Sequence, residues 1–214
     1  MKKTIKRKKP IIKVSLEDYK DNFIFDDDSN SISFKSIEDK ELIDKDKFRI
    51  VLDTCILKNT RFNDNAFYRA EFIDVIFENC DLSNNIFDNC IFIRCEFKSC
   101  KLLGSTFNSC SLSDVLIEES ISKYVVLADN KIKSLDIVNS SFIESSFFEN
   151  ILKNVSFDEV NFKKTTFSDT KLKDIDLATC NIENIIIDHK SVEGSIIALH
   201  QAEYICYLLG VRIK

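Results

Sequence analysis

Residues 70–99 read AEFIDVIFENCDLSNNIFDNCIFIRCEFKS, with Phe or Leu at every fifth position from Phe72 to Phe97. The same phase extends from Leu52 to Ile187, and 27 of its 28 positions hold Leu, Phe or Ile. An α-helix repeats every 3.6 residues and a simple strand every two, so neither has this period. Each five-residue unit is therefore expected to form one straight segment and one corner.

A second inward position stands two residues before each large apolar residue. It is mostly small or β-branched, as at Cys55, Thr60, Ala70, Val75 and Cys80. Residues two apart in extended chain point to the same side, so both positions are expected to face one interior. The other three residues of each unit are mostly polar or charged, as expected of an outer surface. An internal repeat of this kind predicts a solenoid.

The units CDLSN at residues 80–84 and VNFKK at residues 160–164 resemble those of the pentapeptide-repeat proteins, whose pattern is roughly Ala-(Asp/Asn)-Leu/Phe-X-X. This resemblance covers about 140 of the 214 residues. It implies an all-β solenoid, a right-handed quadrilateral β-helix in which four units make one coil. The 28 units then give about seven coils, and a rod about 34 Å long at about 4.8 Å per rung. A C-terminal helix is expected to cap the last coil.

Charge and phase divide the chain into four segments. Residues 1–20 carry eight Lys or Arg against two acids and are expected to be a disordered basic tail. Residues 21–49 carry an excess of acids and are expected to form an N-terminal cap or a degenerate first coil. Residues 50–189 are expected to form the β-helix. Residues 190–214 are expected to form a capping and dimerisation helix followed by a short strand.

Apolar residues recur at helical spacing after Ile197, and Gly210 is a helix stop signal. The ending Gln-Ala-x5-Leu-Leu-Gly-Val-x-Ile, from Gln201 to Ile213, resembles the C-terminal module of the quinolone-resistance (Qnr-type) and mycobacterial gyrase-inhibiting members of the family. That resemblance implies that the module caps the last coil and pairs two rods into a homodimer. The residues expected to form the cap and the dimer contact are Gln201, Ala202, Ile205, Leu208, Leu209 and Val211.

No arrangement of residues indicates catalysis. His189 and His200 have no partner Ser or Cys in a recognisable motif, and three scattered glycines cannot form a phosphate-binding loop. Seven of the eight cysteines occupy the small inward position and are expected to be buried thiols rather than zinc ligands. Among them, Cys80 and Cys100 are expected on adjacent rungs. We therefore expect a non-enzyme with no catalytic residue, no cofactor and no metal site.

Ser122 stands where the phase requires Leu, Phe or Ile. Leu102 and Phe142 are expected one rung away on either side of it. A local bulge is expected here, with Ile121 or Tyr124 turning inward to fill the space. A ligand-binding notch at the same place is the alternative.

Units 20 residues apart stack on one side of the expected square, so charges can be assigned to faces. One face carries eight acids against Lys58 and Lys98 and is expected to bind a partner. Its acids are Glu78, Glu96, Glu118, Glu119, Asp136, Asp158, Glu159 and Asp176. The opposite face also carries an excess of acids. Such ordered carboxylates form a charge array of the kind that a DNA-binding cleft receives. The charge density of B-DNA is higher, with one negative charge per roughly 1.7 Å of axis.

The resemblance implies a DNA-mimicking rod that binds a type II topoisomerase such as DNA gyrase and protects it from fluoroquinolones. The alternative is a non-enzymatic interaction scaffold that binds another partner through the same faces and has no gyrase activity. A separate interpretation is that the acids only keep the rod soluble. A third hypothesis gives the basic tail a nucleic-acid contact, although direct nucleic-acid binding is not expected. The sequence has no run of about 18 apolar residues and no secretory signal, so we expect no membrane partner and a cytoplasmic location.

Overall fold

The computed structural model describes residues 6–12, 15–20, 30–42, 46–62, 64–208 and 210–211. The chain winds as a parallel β-solenoid of about eight coils that ends in a short helix. Pairing joins residues 20 apart, as Phe72 pairs with Phe92. The predicted fold class is confirmed. The coil count exceeds the predicted seven because residues 31–42 and 46–48 belong to a first coil whose strands pair directly with the second.

Two parallel sheets form the walls of the solenoid, and their strands are numbered in chain order. The first sheet contains β1 (Glu17–Asp18), β2 (Ser31–Ser33), β3 (Lys35–Glu38), β5 (Val51–Lys58), β7 (Glu71–Glu78), β9 (Ile91–Ile93), β10 (Glu96–Lys98), β12 (Ser111–Glu118), β14 (Lys131–Val138) and β16 (Ile151–Asp158). The second contains β4 (Asp46–Phe48), β6 (Ala66–Tyr68), β8 (Ile86–Asp88), β11 (Thr106–Asn108), β13 (Val126–Ala128), β15 (Ser146–Phe148), β17 (Thr166–Ser168) and β18 (Ile186–Ile187). Single parallel bridges, from Glu41 through Arg61 to Asn181, close another side of each coil.

One residue in each unit adopts the left-handed backbone conformation, and this residue makes the corner. Wherever the chain is described, every fifth residue from Phe34 to Asp174 has a φ between 47° and 67°. The left-handed region costs a non-glycine residue about 1–2 kcal/mol and is tolerated best by Asn and Asp. Those two residue types recur at the corners, as at Asn59, Asp74 and Asn79. The period of five is therefore the spacing of the corners.

Phenylalanine rings stack along the axis of the rod because the strand register holds them one rung apart. The ring centroids of Phe72 and Phe92 lie 4.7 Å apart, with planes 6° from parallel. Phe77 and Phe97 stack in the same way at 4.8 Å. These separations match the usual strand spacing of about 4.8 Å. A dry, closely packed interior leaves only the outer walls and the two ends available for binding.

The coil stays regular at Ser122, so the predicted bulge is wrong. Ile121 keeps its parallel bridges to Lys101 and Ser141, and the side chains of Ile121 and Tyr124 are exposed. Ser122 itself is fully buried, and its hydroxyl has no hydrogen-bond partner in the described structure. The register is set by backbone pairing with both neighbouring coils, and a single undersized side chain does not overcome it.

The small inward residues fit the limited space inside the coil, and several of them also form hydrogen bonds to the backbone. Many of the Cys, Ser, Thr and Asn side chains at this position donate a hydrogen bond to a carbonyl oxygen of the preceding coil, 23 residues earlier. Ser105 Oγ lies 2.6 Å from the Leu82 oxygen, and Cys80 Sγ lies 3.4 Å from the Leu57 oxygen. Buried backbone carbonyls need such partners. The seven inward cysteines are buried and free, as the sequence predicted.

Two short helices close the C-terminal end. Helix α1 (His189–Val192) begins at Asp188, whose side chain accepts hydrogen bonds from the first helical N–H groups. A 3₁₀ helix (Leu199–Gln201) leads directly into helix α2 (Ala202–Leu208), from which Tyr204 and Ile205 pack on the core. The predicted final strand falls largely on residues 212–214, outside the described residues.

Residues 6–12 and 15–20 lie against the solenoid, which differs from the disordered tail expected for residues 1–20. β1 pairs in parallel with β3, and residues 6–12 run across the outer surface of the first sheet. Carboxylates of this sheet hold residues 6–12, and backbone hydrogen bonds hold β1 against β3. Residues 6–12 are called the arm below, and the outward side chains of the first sheet are called the acidic wall.

Candidate interaction surface

The eight predicted partner-binding acids lie on the acidic wall and at the corner and coil beside it, but they are not equally accessible. Glu119, Glu159 and Asp176 are exposed, whereas Glu78, Glu118, Asp136 and Asp158 are partly buried. Glu96 is buried, at 4% exposure. The wall is therefore not the bare array of carboxylates that charge counting suggested.

Glu96 is covered by two cations. Arg7 of the arm places Nη2 2.6 Å from Glu96 Oε1, and Lys98 places Nζ 2.7 Å from Glu96 Oε2. The Arg7 side chain is itself only 7% exposed, and its Nε lies 3.7 Å from Asp136 Oδ2. Burial raises the pKa of the Glu96 carboxyl, but hydrogen bonds from Lys98 and Arg7 outweigh it and hold the pKa below its ordinary value. The Glu96 carboxylate thus stays charged and paired.

Asp74 fixes the arm through its backbone. The Ile11 N–H donates to Asp74 Oδ1 at 2.8 Å, and the Arg94 guanidinium donates to both carboxylate oxygens, at 2.6 and 2.7 Å. Burial raises the pKa of Asp74, but the bonds from Arg94 and Ile11 outweigh it and leave the pKa lowered. One rung beyond Arg94, Asp114 accepts the Lys8 N–H at 3.0 Å. The wall therefore binds main-chain donors as well as a guanidinium.

The second sheet carries a ladder of carboxylates on its outer corner. Asp129, Glu149 and Asp169 are exposed and follow one another at 20-residue spacing, one rung apart. Asp188 closes the ladder by accepting the Asp169 N–H at 2.8 Å. Three exposed like charges at about 4.8 Å intervals give this side of the rod a local negative potential.

A groove of about 570 Å³ opens beyond β16 on the first sheet. It forms because residues 171–176 leave the strand geometry, so that they no longer pair with β16. Three lysines and four aspartates line it together with apolar side chains such as Leu152 and Ile196. The mixed charge gives the groove no clear preference for an anion or a cation.

The predicted cap residues divide between an inner and an outer set. Gln201 is buried and Ile205 packs on the core, while Ala202 is partly buried. Leu208 and Val211 are exposed, and Leu209 lies outside the described residues. Leu199 and Tyr207 add to the outer set, at 93% and 61% exposure. The outer set is the apolar surface on which the predicted dimer contact would have to form.

Neither histidine lies in an enclosed site. His189 and His200 are both exposed, in α1 and in the 3₁₀ helix respectively. Within the described ranges, no group of three or more His, Cys, Asp or Glu side chains is arranged to hold a metal ion. No helix in those ranges is long and apolar enough to cross a membrane.

The arm is the part of this surface that sequence reasoning missed. Its excess of Lys and Arg was visible, but two of its contacts use the N–H groups of Lys8 and Ile11, which every such residue carries. One feature of the sequence does indicate an extended arm. Pro10 and the preceding Lys9 restrict the backbone to extended conformations, which suits a segment laid along a wall.

Comparison with protein families identifies part of the repeat. Residues 70–147 match the family model described as a pentapeptide repeat region. Among proteins with curated functions, none is similar enough to match this chain.

Solved structures give distant similarities. Full-length QnrB1, described as a plasmid-mediated fluoroquinolone resistance protein, shares 12% identity over 85% of this chain and 100% of that chain, with a TM-score of 0.33. A trypsin-treated QnrB1 variant shares 14% over 86% and 98%, with a TM-score of 0.36. HetL from the cyanobacterium Nostoc sp. strain PCC 7120, described as a pentapeptide repeat protein involved in heterocyst differentiation regulation, shares 13% over 82% and 91%, with a TM-score of 0.26.

The matched residues lie in the middle of the solenoid, and the same five-residue phase and corner geometry continue on both sides of them. Residues 70–147 therefore form a pentapeptide repeat region, and the chain on both sides of them repeats the same coil.

Proposed function

We propose that this protein is a non-enzymatic cytoplasmic rod that binds the DNA-binding surface of a type II topoisomerase and protects that enzyme from fluoroquinolones. The observation that carries the proposal is the repetition of carboxylates along two walls at a fixed rung spacing. A cleft that receives DNA presents ordered cations, and ordered carboxylates on a narrow rigid rod complement them.

Rigidity supports this function. The carboxylates are held on strands or at backbone corners of a packed solenoid, so little side-chain and no loop ordering is required on binding. A preorganised charge array favours fast, salt-sensitive association. The resemblance of the C-terminal module to that of gyrase-inhibiting family members supports the topoisomerase as partner and a homodimer as the active form.

A supercoiling assay with purified DNA gyrase, with and without a fluoroquinolone, tests the proposal. A triple variant, Glu118→Gln, Glu119→Gln and Glu159→Gln, removes three carboxylates from or beside the acidic wall. We expect the unmodified chain to inhibit supercoiling and reduce drug-dependent cleavage, and the triple variant to lose both effects.

The matched control removes three charges from the side of the rod built by the single bridges. Its substitutions are Glu41→Gln, Asp64→Asn and Glu183→Gln, and it is expected to behave like the unmodified chain. Equal loss in both variants would indicate a nonspecific effect of net charge. No effect of the unmodified chain on gyrase at low salt would remove the topoisomerase from the proposal.

The arm favours the alternative of an interaction scaffold with a different partner. It brings four cations, Lys6 to Lys9, onto the acidic wall and neutralises part of its charge. A wall covered in this way is a weaker DNA mimic than its acid count suggests. Binding to a partner other than a topoisomerase, through the same carboxylates, is the outcome that this alternative predicts.

A further inference from the structure

We propose that the acidic wall is a receptor for an extended cationic segment, and that the arm fills it as a resident competitor which a partner's segment displaces. This proposal rests on the proposed function in one respect: both take the acidic wall as the face that binds a partner. It names the kind of ligand the wall accepts, because one such ligand is seated there.

The arm follows the rungs of the solenoid in step. Ile11 is bound at Asp74 and Lys8 at Asp114, two coils further along. Two rungs span about 9.6 Å, and three residues of extended chain span about 10 Å. Asp74 and Asp114 can therefore each accept an N–H group from one extended segment laid along the axis, at two residues three apart in its sequence. This match depends on the repeat, so a chain from another protein could use it equally well.

The site is built rather than incidental. Arg7 enters between Glu96 and Asp136 and is 7% exposed there, while the Glu96 side chain is 5% exposed. A charge pair at this burial breaks with difficulty, since releasing Arg7 leaves the buried Glu96 carboxylate with Lys98 as its one cation in the described part of the chain. Pro10 has no N–H to leave unsatisfied and limits the backbone to extended forms, which reduces the entropy lost on docking.

The contacts also define what a competing segment must carry. It needs one Arg to reach Glu96 and Asp136, and free N–H groups one and four residues later, for Asp114 and Asp74. Lys9 is exposed and makes no ion pair or hydrogen bond among the described residues. A basic residue is therefore not required at that position. The ligand class is an extended Arg-containing basic segment of a protein.

The experiment measures binding of a labelled, end-capped peptide with the sequence of residues 6–12 to the full-length chain. Arg7→Glu places a like charge beside Glu96 and Asp136 and should release the arm. Lys9→Glu makes the same change in charge at a position without contacts. While the arm occupies the site, the peptide can bind only those chains in which the site is free. The apparent affinity of the peptide is therefore reduced by that free fraction. We expect the Arg7→Glu chain to bind the peptide about tenfold more tightly than the unmodified chain.

Two controls complete the design. The Lys9→Glu chain should bind like the unmodified chain, and adding Glu96→Gln to Arg7→Glu should weaken binding again. Amide hydrogen exchange provides an independent readout, since the N–H groups of Lys8 and Ile11 should be protected in the unmodified chain and exposed by Arg7→Glu. If Arg7→Glu does not fold, replacing residues 6–11 by alternating Gly and Ser in the full-length chain gives the same test.

Each outcome decides the inference. Equal peptide affinity in all chains would overturn the competition, and absence of peptide binding to the Arg7→Glu chain would overturn the receptor. The proposed function fails separately. An arm-released chain that binds the peptide but has no effect on gyrase would remove the topoisomerase while leaving the cationic-segment receptor in place.

Discussion

Gln201 Nε2 donates a hydrogen bond of 2.9 Å to the carbonyl oxygen of Leu177. A second bond of 2.7 Å joins the same nitrogen to the carbonyl of Cys180, and Gln201 Oε1 accepts the Ala198 N–H at 2.8 Å. Within the solenoid, small inward residues of one coil donate hydrogen bonds to carbonyl oxygens of the coil before it. No further coil follows the last one, so its carbonyls need donors from elsewhere. Gln201, at 1% exposure, supplies those donors from the cap.

The first prediction is that Gln201→Met destabilises the protein by about 2–4 kcal/mol, because the Cys180 carbonyl and the Ala198 N–H lose their partners and the Leu177 carbonyl keeps only the Cys180 N–H. Urea unfolding followed by circular dichroism measures the change. Glu203→Gln, on the exposed face of α2, is the matched control and should shift the midpoint little. A Gln201→Met midpoint equal to that of the unmodified chain would show that the cap does not depend on these bonds.

The second prediction concerns the undersized residue in the fifth coil. Ser122→Leu should stabilise the protein by about 1–2 kcal/mol, because it buries more apolar surface and removes a buried hydroxyl that has no partner. The same change at Ser105 should destabilise, since Ser105 Oγ donates to the Leu82 carbonyl and its site is sized for a small residue. Thermal melting of both variants checks the opposite signs.

The sequence predicts the solenoid because one repeated unit determines it. From Leu52 to Ile187, 27 of 28 units present a large apolar inward residue, mostly with a small or β-branched one beside it, and parallel pairing at 20 residues follows. It does not predict where the arm lies, because charge composition does not specify which carboxylate binds the Lys8 or the Ile11 N–H. The burial of Glu96 depends on that placement, so its site could not be read from the repeat alone.

A third prediction follows from the burial of the cysteines. Burial raises the pKa of the Cys95 thiol to about 12 and those of Cys55 and Cys180 to about 11, so little thiolate forms near pH 8. Cys206 is the only cysteine that is not buried. A thiol-specific reagent should therefore modify one cysteine rapidly in the native protein, and peptide mass spectrometry should place the modification at Cys206. Rapid labelling at an inward position would contradict the closed interior.

The fourth prediction is an acid sensitivity at Asp188. Burial raises the pKa of this carboxyl, but bonds from the Ser191 hydroxyl and from the N–H groups of Asp169, Ser191 and Lys190 outweigh it and lower the pKa. The ionised carboxylate stabilises the folded protein at pH values above 3.8, the ordinary pKa of this group in the unfolded chain. That stabilisation is lost as the pH falls through the lower pKa of the folded state.

Asp188→Ala should therefore cost about 1 kcal/mol at pH 7 through loss of the helix cap. The difference between the variant and the unmodified chain should shrink as the pH falls below 3.8. Urea midpoints from pH 7 to pH 2 measure both effects. A difference that stays constant across this range would mean that the charge of Asp188 does not contribute to the cap.

The last prediction concerns the outer apolar set of the cap. Leu199 in the 3₁₀ helix is 93% exposed, and Tyr207 and Leu208 at the end of α2 are 61% and 42% exposed. Large apolar side chains exposed together mark an interaction surface more often than an unused one.

If two rods meet there, as proposed, Leu199→Glu combined with Leu208→Glu places like charges in a two-fold contact and should convert a dimer to a monomer. Sedimentation velocity measures the mass directly. Ile86→Glu and Ile121→Glu, at exposed positions on the walls, should leave the dimer intact, and a monomeric unmodified chain would remove the end-to-end pairing from the proposal.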